Sequence, residues 1–233
     1  MSASGVLRPR PPFPGRAAGR RDALLTGVCA ALAAVAAGDA FSVYVGIRAR
    51  AGVDGGEGFA FASQDHLNET DRLFQVSDQI HAITLLACAA VFITWFHRAR
   101  RTAGAQAPGR FGKGPGWGIG AWFIPFACLW LPYRMAVDMW SEGLRQSPAD
   151  ARQSPADAGG SGSFWPVNLW WGSFVGSSLL QQYATLNYRS AADLDAFLDA
   201  VTLGMTADAL HIAAAAAAAH FAIRLTGMQA RHA

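Results

Sequence analysis

The charges of this 233-residue chain are confined to the gaps between long apolar blocks, and that segregation limits what it can fold into. The main blocks run over about 24–47, 73–96, 167–183 and 197–225. Hydrophobic residues make up 52% of the chain and charged residues 15%, against roughly 25% charged in an ordinary soluble domain. Blocks of this length suit a bilayer, where a helix needs about 20 apolar residues to cross. The pattern therefore predicts an all-α, polytopic helical membrane protein with four transmembrane helices. A secretory signal over the first block is the alternative at that position, but apolar character resumes after Asp39 with Phe41, Val43, Tyr44, Val45 and Ile47, long enough to span.

The gaps have their own character. Residues 1–22 combine Pro9, Pro11, Pro12 and Pro14 with five arginines, a composition expected to be a disordered basic tail. Residues 141–164 contain a direct duplication, RQSPADA at Arg145–Ala151 and again at Arg152–Ala158, which reads as a flexible linker. Between them, Trp117–Trp140 is apolar yet interrupted by Pro125 and Pro132, each lacking a backbone donor. This Trp-rich stretch is expected to be interfacial or re-entrant, with Trp117, Trp122, Trp130 and Trp140, and later Trp170 and Trp171, at headgroup level. If it does not cross, fifteen basic residues share one side with both termini and four lie opposite. If it does, making five spans, the split is eleven against seven. Basic residues favour the cytoplasmic side, so four spans with both termini cytoplasmic is the preferred reading.

Partners follow from the same charges. Arginines beside apolar helices match a bilayer with anionic headgroups, and nothing indicates nucleic acid. Unknown protein partners and a homo-oligomer are compatible with the pattern. Gly172 and Gly176 give a G-x-x-x-G spacing that can let another helix approach, and the Ala213–Ala219 run is a candidate surface for it. Ser190–Asp193 has the form of a helix start. Cys29, Cys88 and Cys128 lie in apolar runs without zinc or redox spacing.

Ionisable residues within the blocks are the candidates for function, because each costs about 2.5–3.5 kcal/mol at the centre of a span on insertion scales. Asp78 with His81, and Asp208 with His211, stand three residues apart, which places carboxylate and imidazole on one helix face. At 1.5 Å per residue, Asp39, His81 and His211 come out about 22, 24 and 20 Å from the inner ends of their helices. They can share one layer. Carboxylate and histidine pairs projecting into a helical bundle are a form of metal site, and two histidines at one depth can also ligate a haem. His220 lies half a turn round from His211 and is not expected to join them. No P-loop, G-x-S-x-G or H-E-x-x-H is present, and no catalytic residue is assigned.

Three stretches carry a family resemblance: WFHRARRTA at Trp95–Ala103, WGIGAWFIPFACLWLPYRMAVDMW at Trp117–Trp140, and NLWW at Asn168–Trp171. Together they resemble bacterial membrane proteins grouped as domain of unknown function 4328, over roughly Leu73–Arg231. The resemblance implies a multi-span membrane protein and brings no reaction or ligand with it. The leading expectation is a non-enzymatic scaffold or regulator in the cytoplasmic membrane. The alternatives are a small metal- or haem-binding redox protein and a proton or ion pathway, both using the intramembrane Asp and His residues.

Overall fold

The computed structural model describes residues 14–54, 64–112, 114, 116–146 and 163–231. Six α-helices appear among them and the fold is all-α. They are α1 (Pro14–Asp54), α2 (Gln64–Gln106), α3 (Trp117–Gly120), α4 (Leu131–Gln146), α5 (Trp165–Ser190) and α6 (Leu194–Ala230). The first thirteen residues of the expected tail and residues 147–162 of the expected linker lie outside the described part.

Helix α1 starts inside the stretch expected to be tail. Pro14 opens it, and proline suits the first helical turn because the N–H it lacks would have had no partner there. Arg16, Ala17, Ala18, Arg20 and Arg21 are favourable helix formers that then carry the helix into the apolar block. Helix α6 starts at a cap other than the expected Ser190. Asp193 takes an extended backbone (φ −137°, ψ 172°), and its carboxylate accepts from the Ala196 N–H at 2.8 Å. Ser190 instead ends α5 and donates back to the Leu186 carbonyl.

Among the described residues, three helical stretches are long and apolar enough to cross a membrane, Asp22–Gly52, Asn68–Gln106 and Leu194–Ala230. Helix α5 is not among them. Its 26 residues are long enough, but Ser177, Ser178, Gln181 and Gln182 interrupt the apolar character of its middle. Residues 117–130 form no continuous helix: α3 is a single turn, followed by turns and a 3-10 turn at Ala127–Leu129. Phe126, directly after Pro125, takes φ 61°, a left-handed value that bulky residues seldom adopt.

Helix α1 packs along both α2 and α6, and α5 packs along α6. Close approach is made possible locally by glycine. A Cβ on Gly38 would stand 3.3 Å from Ile80 Cγ2, and one on Gly46 only 2.7 Å from Met205 Cγ. Gly176 faces Leu210 on α6, whereas Gly172 has open space around its Cβ position, so the G-x-x-x-G pair does not act as one contact and the Ala213–Ala219 run is not its partner.

The buried core gathers at the end of the bundle that carries the basic end of α2. Phe221 is fully buried and stacks on Trp170 at 4.9 Å between ring centroids, with the ring planes nearly parallel, and Trp95 and Trp140 also lie against it. Trp122 meets Phe92, Phe96 and Trp171 edge-on. Of the aromatic–proline set expected at an interface, Trp117, Trp130 and Pro125 are exposed, while Pro132, Trp140, Trp170 and Trp171 are buried. The reason is geometric: the broken segment and α4 pack against the ends of α2, α5 and α6, so their rings meet one another before they meet solvent or lipid. Polar ties reinforce this end. Trp95 Nε1 donates to Thr226 Oγ1 at 3.2 Å, and Gln229 Nε2 donates to the Ala99 carbonyl at 3.0 Å.

Candidate functional site

Asp39 sits mid-way along α1 with no exposure at all. A carboxylate in such a place needs partners, and they come from two other helices. His81 of α2 holds its Nδ1 2.8 Å from Asp39 Oδ1 in an aligned hydrogen bond. His211 of α6 brings its Nδ1 to 2.9 Å from Oδ2. That second contact has ion-pair distance when the ring is protonated, but no aligned hydrogen bond reaches Oδ2 among the described residues. The imidazole rings stand 5.6 Å apart between centroids, tilted by 49°. One ligand atom from each of Asp39, His81 and His211 lies within 4.8 Å of the others, so this trio could hold a metal ion.

An ionised carboxylate only accepts hydrogen bonds, so the His81 Nδ1 carries the proton of its bond to Asp39. In the neutral ring Nε2 then keeps its lone pair. Both rings also line a cavity of about 440 Å³, within the range of pockets that hold small ligands. The cavity runs along α2 from His81 to Ile93, about 18 Å at helical rise. Helices α2 and α5 form its two sides, α1 and α6 its back, and Trp122 its far end.

Asp208 of α6 lines the same cavity and is 8% exposed. Its carboxylate has no hydrogen-bond partner among the described residues. Asp78 is exposed and belongs neither to the ligand trio nor to the cavity lining. Ser77, one residue earlier, takes the inward position and hydrogen-bonds to Ser42 of α1 at 2.6 Å. His220 stacks on Trp165, away from the cluster, as its half-turn offset requires. Two imidazoles turned toward one carboxylate leave no slot for a porphyrin plane between them. A single small ion suits the trio better than the haem considered from sequence.

Sequence reasoning missed the polar face of α5. Ser177, Ser178, Gln181 and Gln182 all line the cavity, and Gln181 Oε1 is buried without a partner. The signal was present as S-S-L-L-Q-Q within an otherwise apolar block. In a crossing helix such residues point to a water- or ligand-filled space.

A family model described as Domain of unknown function (DUF4328) matches residues 60–227. The chain belongs to this family. No curated protein and no solved structure matches it. The DUF4328 region takes in His81, His211, Asp208 and the α5 face of the cavity, and Asp39 lies before it on α1.

Proposed function

We propose that this DUF4328 protein is a four-span membrane protein, with α5 as the fourth crossing and both termini cytoplasmic, whose working centre binds a divalent transition-metal ion through Asp39, His81 and His211. The observation that carries the reading is the convergence of these three side chains, from three helices, on one buried point. Charge supports it. Asp39 and Asp208 put two carboxylates in a low-dielectric interior, and among the described residues no lysine or arginine lines the cavity beside them. A divalent ion held by two neutral imidazoles and Asp39 balances both charges.

Distances support it as well. Ligands at about 2.0–2.1 Å around a tetrahedral ion lie about 3.3 Å from one another. The three candidate ligand atoms lie within 4.8 Å of one another, close enough for side-chain adjustment to reach that spacing, with the proton of each ring moved to Nε2 where Nδ1 is the ligand. Two histidines and one carboxylate leave coordination positions open, and the cavity flanks the imidazoles. A scaffold that grips partners through its Trp-rich segment has less behind it, because Trp140, Trp170 and Trp171 are spent in the core.

The test is metal uptake by detergent-purified protein. After chelation, cobalt(II) is expected to bind at one equivalent per chain with visible d–d bands, and Asp39→Ala, His81→Ala and His211→Ala should each weaken it by roughly 100-fold, at the upper end of what losing a supporting group costs. Folded protein that holds no metal as purified and takes up no cobalt would overturn the proposal.

A further inference from the structure

The cavity has a polar end and an apolar length, and the two ask for different halves of one molecule. Around His81, His211 and Asp208 the acceptors are the Asp208 carboxylate, which lines the cavity, and the buried Oε1 of Gln181, which has no partner among the described residues. Toward the other end, Leu85, Phe92, Trp170 and Phe174 enclose an apolar channel closed by Trp122, whose buried Nε1 is a donor without a partner among the described residues. Unsatisfied buried acceptors are expensive. The group that satisfies them must donate.

Access is from the side. Helices α1 and α6 back the cavity, while α2 and α5 stand apart across it. At its rim Leu86, Ser178 and Gln182 are all exposed, Leu86 at 72%. On helices that cross a bilayer this rim faces acyl chains, so a molecule enters from lipid without leaving an apolar medium.

We infer that this cavity binds a single-chain amphiphile with a hydroxyl head, its O–H donating to the acceptor cluster at Asp208 and its chain lying along the aromatic wall between α2 and α5. In metal-free protein a carboxylate head is excluded by charge, since it would meet Asp208 and Asp39 in a low-dielectric site, where like charges repel strongly. The inference shares one end of the cavity with the metal site but does not depend on the metal.

The experiment is equilibrium binding of tritiated hexadecanol to full-length, chelator-treated protein in nanodiscs, with empty nanodiscs subtracted and tritiated palmitate compared. Saturable binding of one hexadecanol per chain is expected, with palmitate at least tenfold weaker. Ala89→Phe, which fills the channel, and Ser178→Trp, which blocks the exposed rim, should each lower hexadecanol binding at least tenfold. If Ala89→Phe does not fold, Ser178→Trp decides. Hexadecanol retention equal to empty nanodiscs, unchanged binding in the folded blocking variants, or palmitate binding as tightly would each overturn the inference. Hexadecanol binding by protein that takes up no cobalt removes the metal proposal alone, and cobalt uptake without hexadecanol binding removes this one alone.

Discussion

The two histidines that flank Asp39 are not equivalent, and that asymmetry orders three substitutions in metal-free protein. Among the described residues His81 provides the one aligned donor to a carboxylate with no exposure. His81→Ala removes it and leaves a buried charge without a hydrogen bond, which costs about 3–5 kcal/mol when one partner of a buried pair is lost. His211→Ala removes a 2.9 Å approach that lacks hydrogen-bond alignment, so its cost is about 1–2 kcal/mol, near that of an ordinary hydrogen bond. Asp39→Asn removes the charge, keeps an oxygen for His81, and offers an amide donor to His211 in its other tautomer. That change should cost about 1 kcal/mol or less, because replacing a buried charge with a neutral, satisfied group is often close to neutral.

The double variant His81→Ala with Asp39→Asn should therefore be more stable than the sum of the single costs implies, by about 2–3 kcal/mol of coupling. Unfolding by SDS in mixed micelles with chelator present, followed through the buried tryptophans, measures all four. Neutral interhelical hydrogen bonds in bilayer bundles average only about 0.6 kcal/mol, so a cost above about 2 kcal/mol for His81→Ala identifies an ionised Asp39 and not a neutral pair. Equal costs for His81→Ala and His211→Ala, or an Asp39→Asn variant as unstable as His81→Ala, would refute this account of the site.

Two further outcomes are expected. Gly38→Val should move α1 away from α2, since its Cβ would stand 3.3 Å from Ile80 Cγ2 and 3.5 Å from Thr84 Oγ1 on either side of His81; cobalt affinity should fall at least tenfold while helix content by circular dichroism holds, and an unchanged cobalt titration counts against it. Fusion of green fluorescent protein at residue 233 should fluoresce and fusion of alkaline phosphatase there should stay inactive in bacterial cells, the reverse pattern meaning an odd number of crossings if the N-terminus is cytoplasmic.

Much of the helical layout was legible because its signal is one-dimensional. Apolar run length alone finds the middles of α1, α2 and α6, and a fixed rise per residue puts Asp39, His81 and His211 at one depth before any packing is known. Rotation about the helix axis is less legible. The i, i+3 rule treats Asp78 and Asp208 alike, yet it names only a shared face and not the direction that face points. On α2 the inward direction is fixed by α1, and Ser77, four residues before His81, takes it while Asp78 swings out. On α6 the same offset turns Asp208 into the cavity, because α5 stands on that side. The tryptophans misled for a related reason. Amphipathic rings near charged helix ends suit an interface, but Trp140 and Trp170 converge on Phe221 from helices far apart in sequence, a contact that no local pattern encodes.

The family match begins at residue 60, so α1 and Asp39 precede it, yet α1 is what makes the site a site. Helices α2 and α6 meet only slightly, whereas each packs extensively on α1. Without that wedge His81 and His211 would sit on two helices with nothing between them at their depth, and no carboxylate would orient their Nδ1 atoms. Gly38 permits the approach and Asp39, the next residue, uses it. Close packing and charge are thus delivered together by adjacent positions on one helix. Loss of α1 would cost the bundle both the spacer that fixes the histidine separation and the anion that keeps two polar rings tolerable inside lipid, leaving Asp208 as the remaining acidic group in the cavity lining.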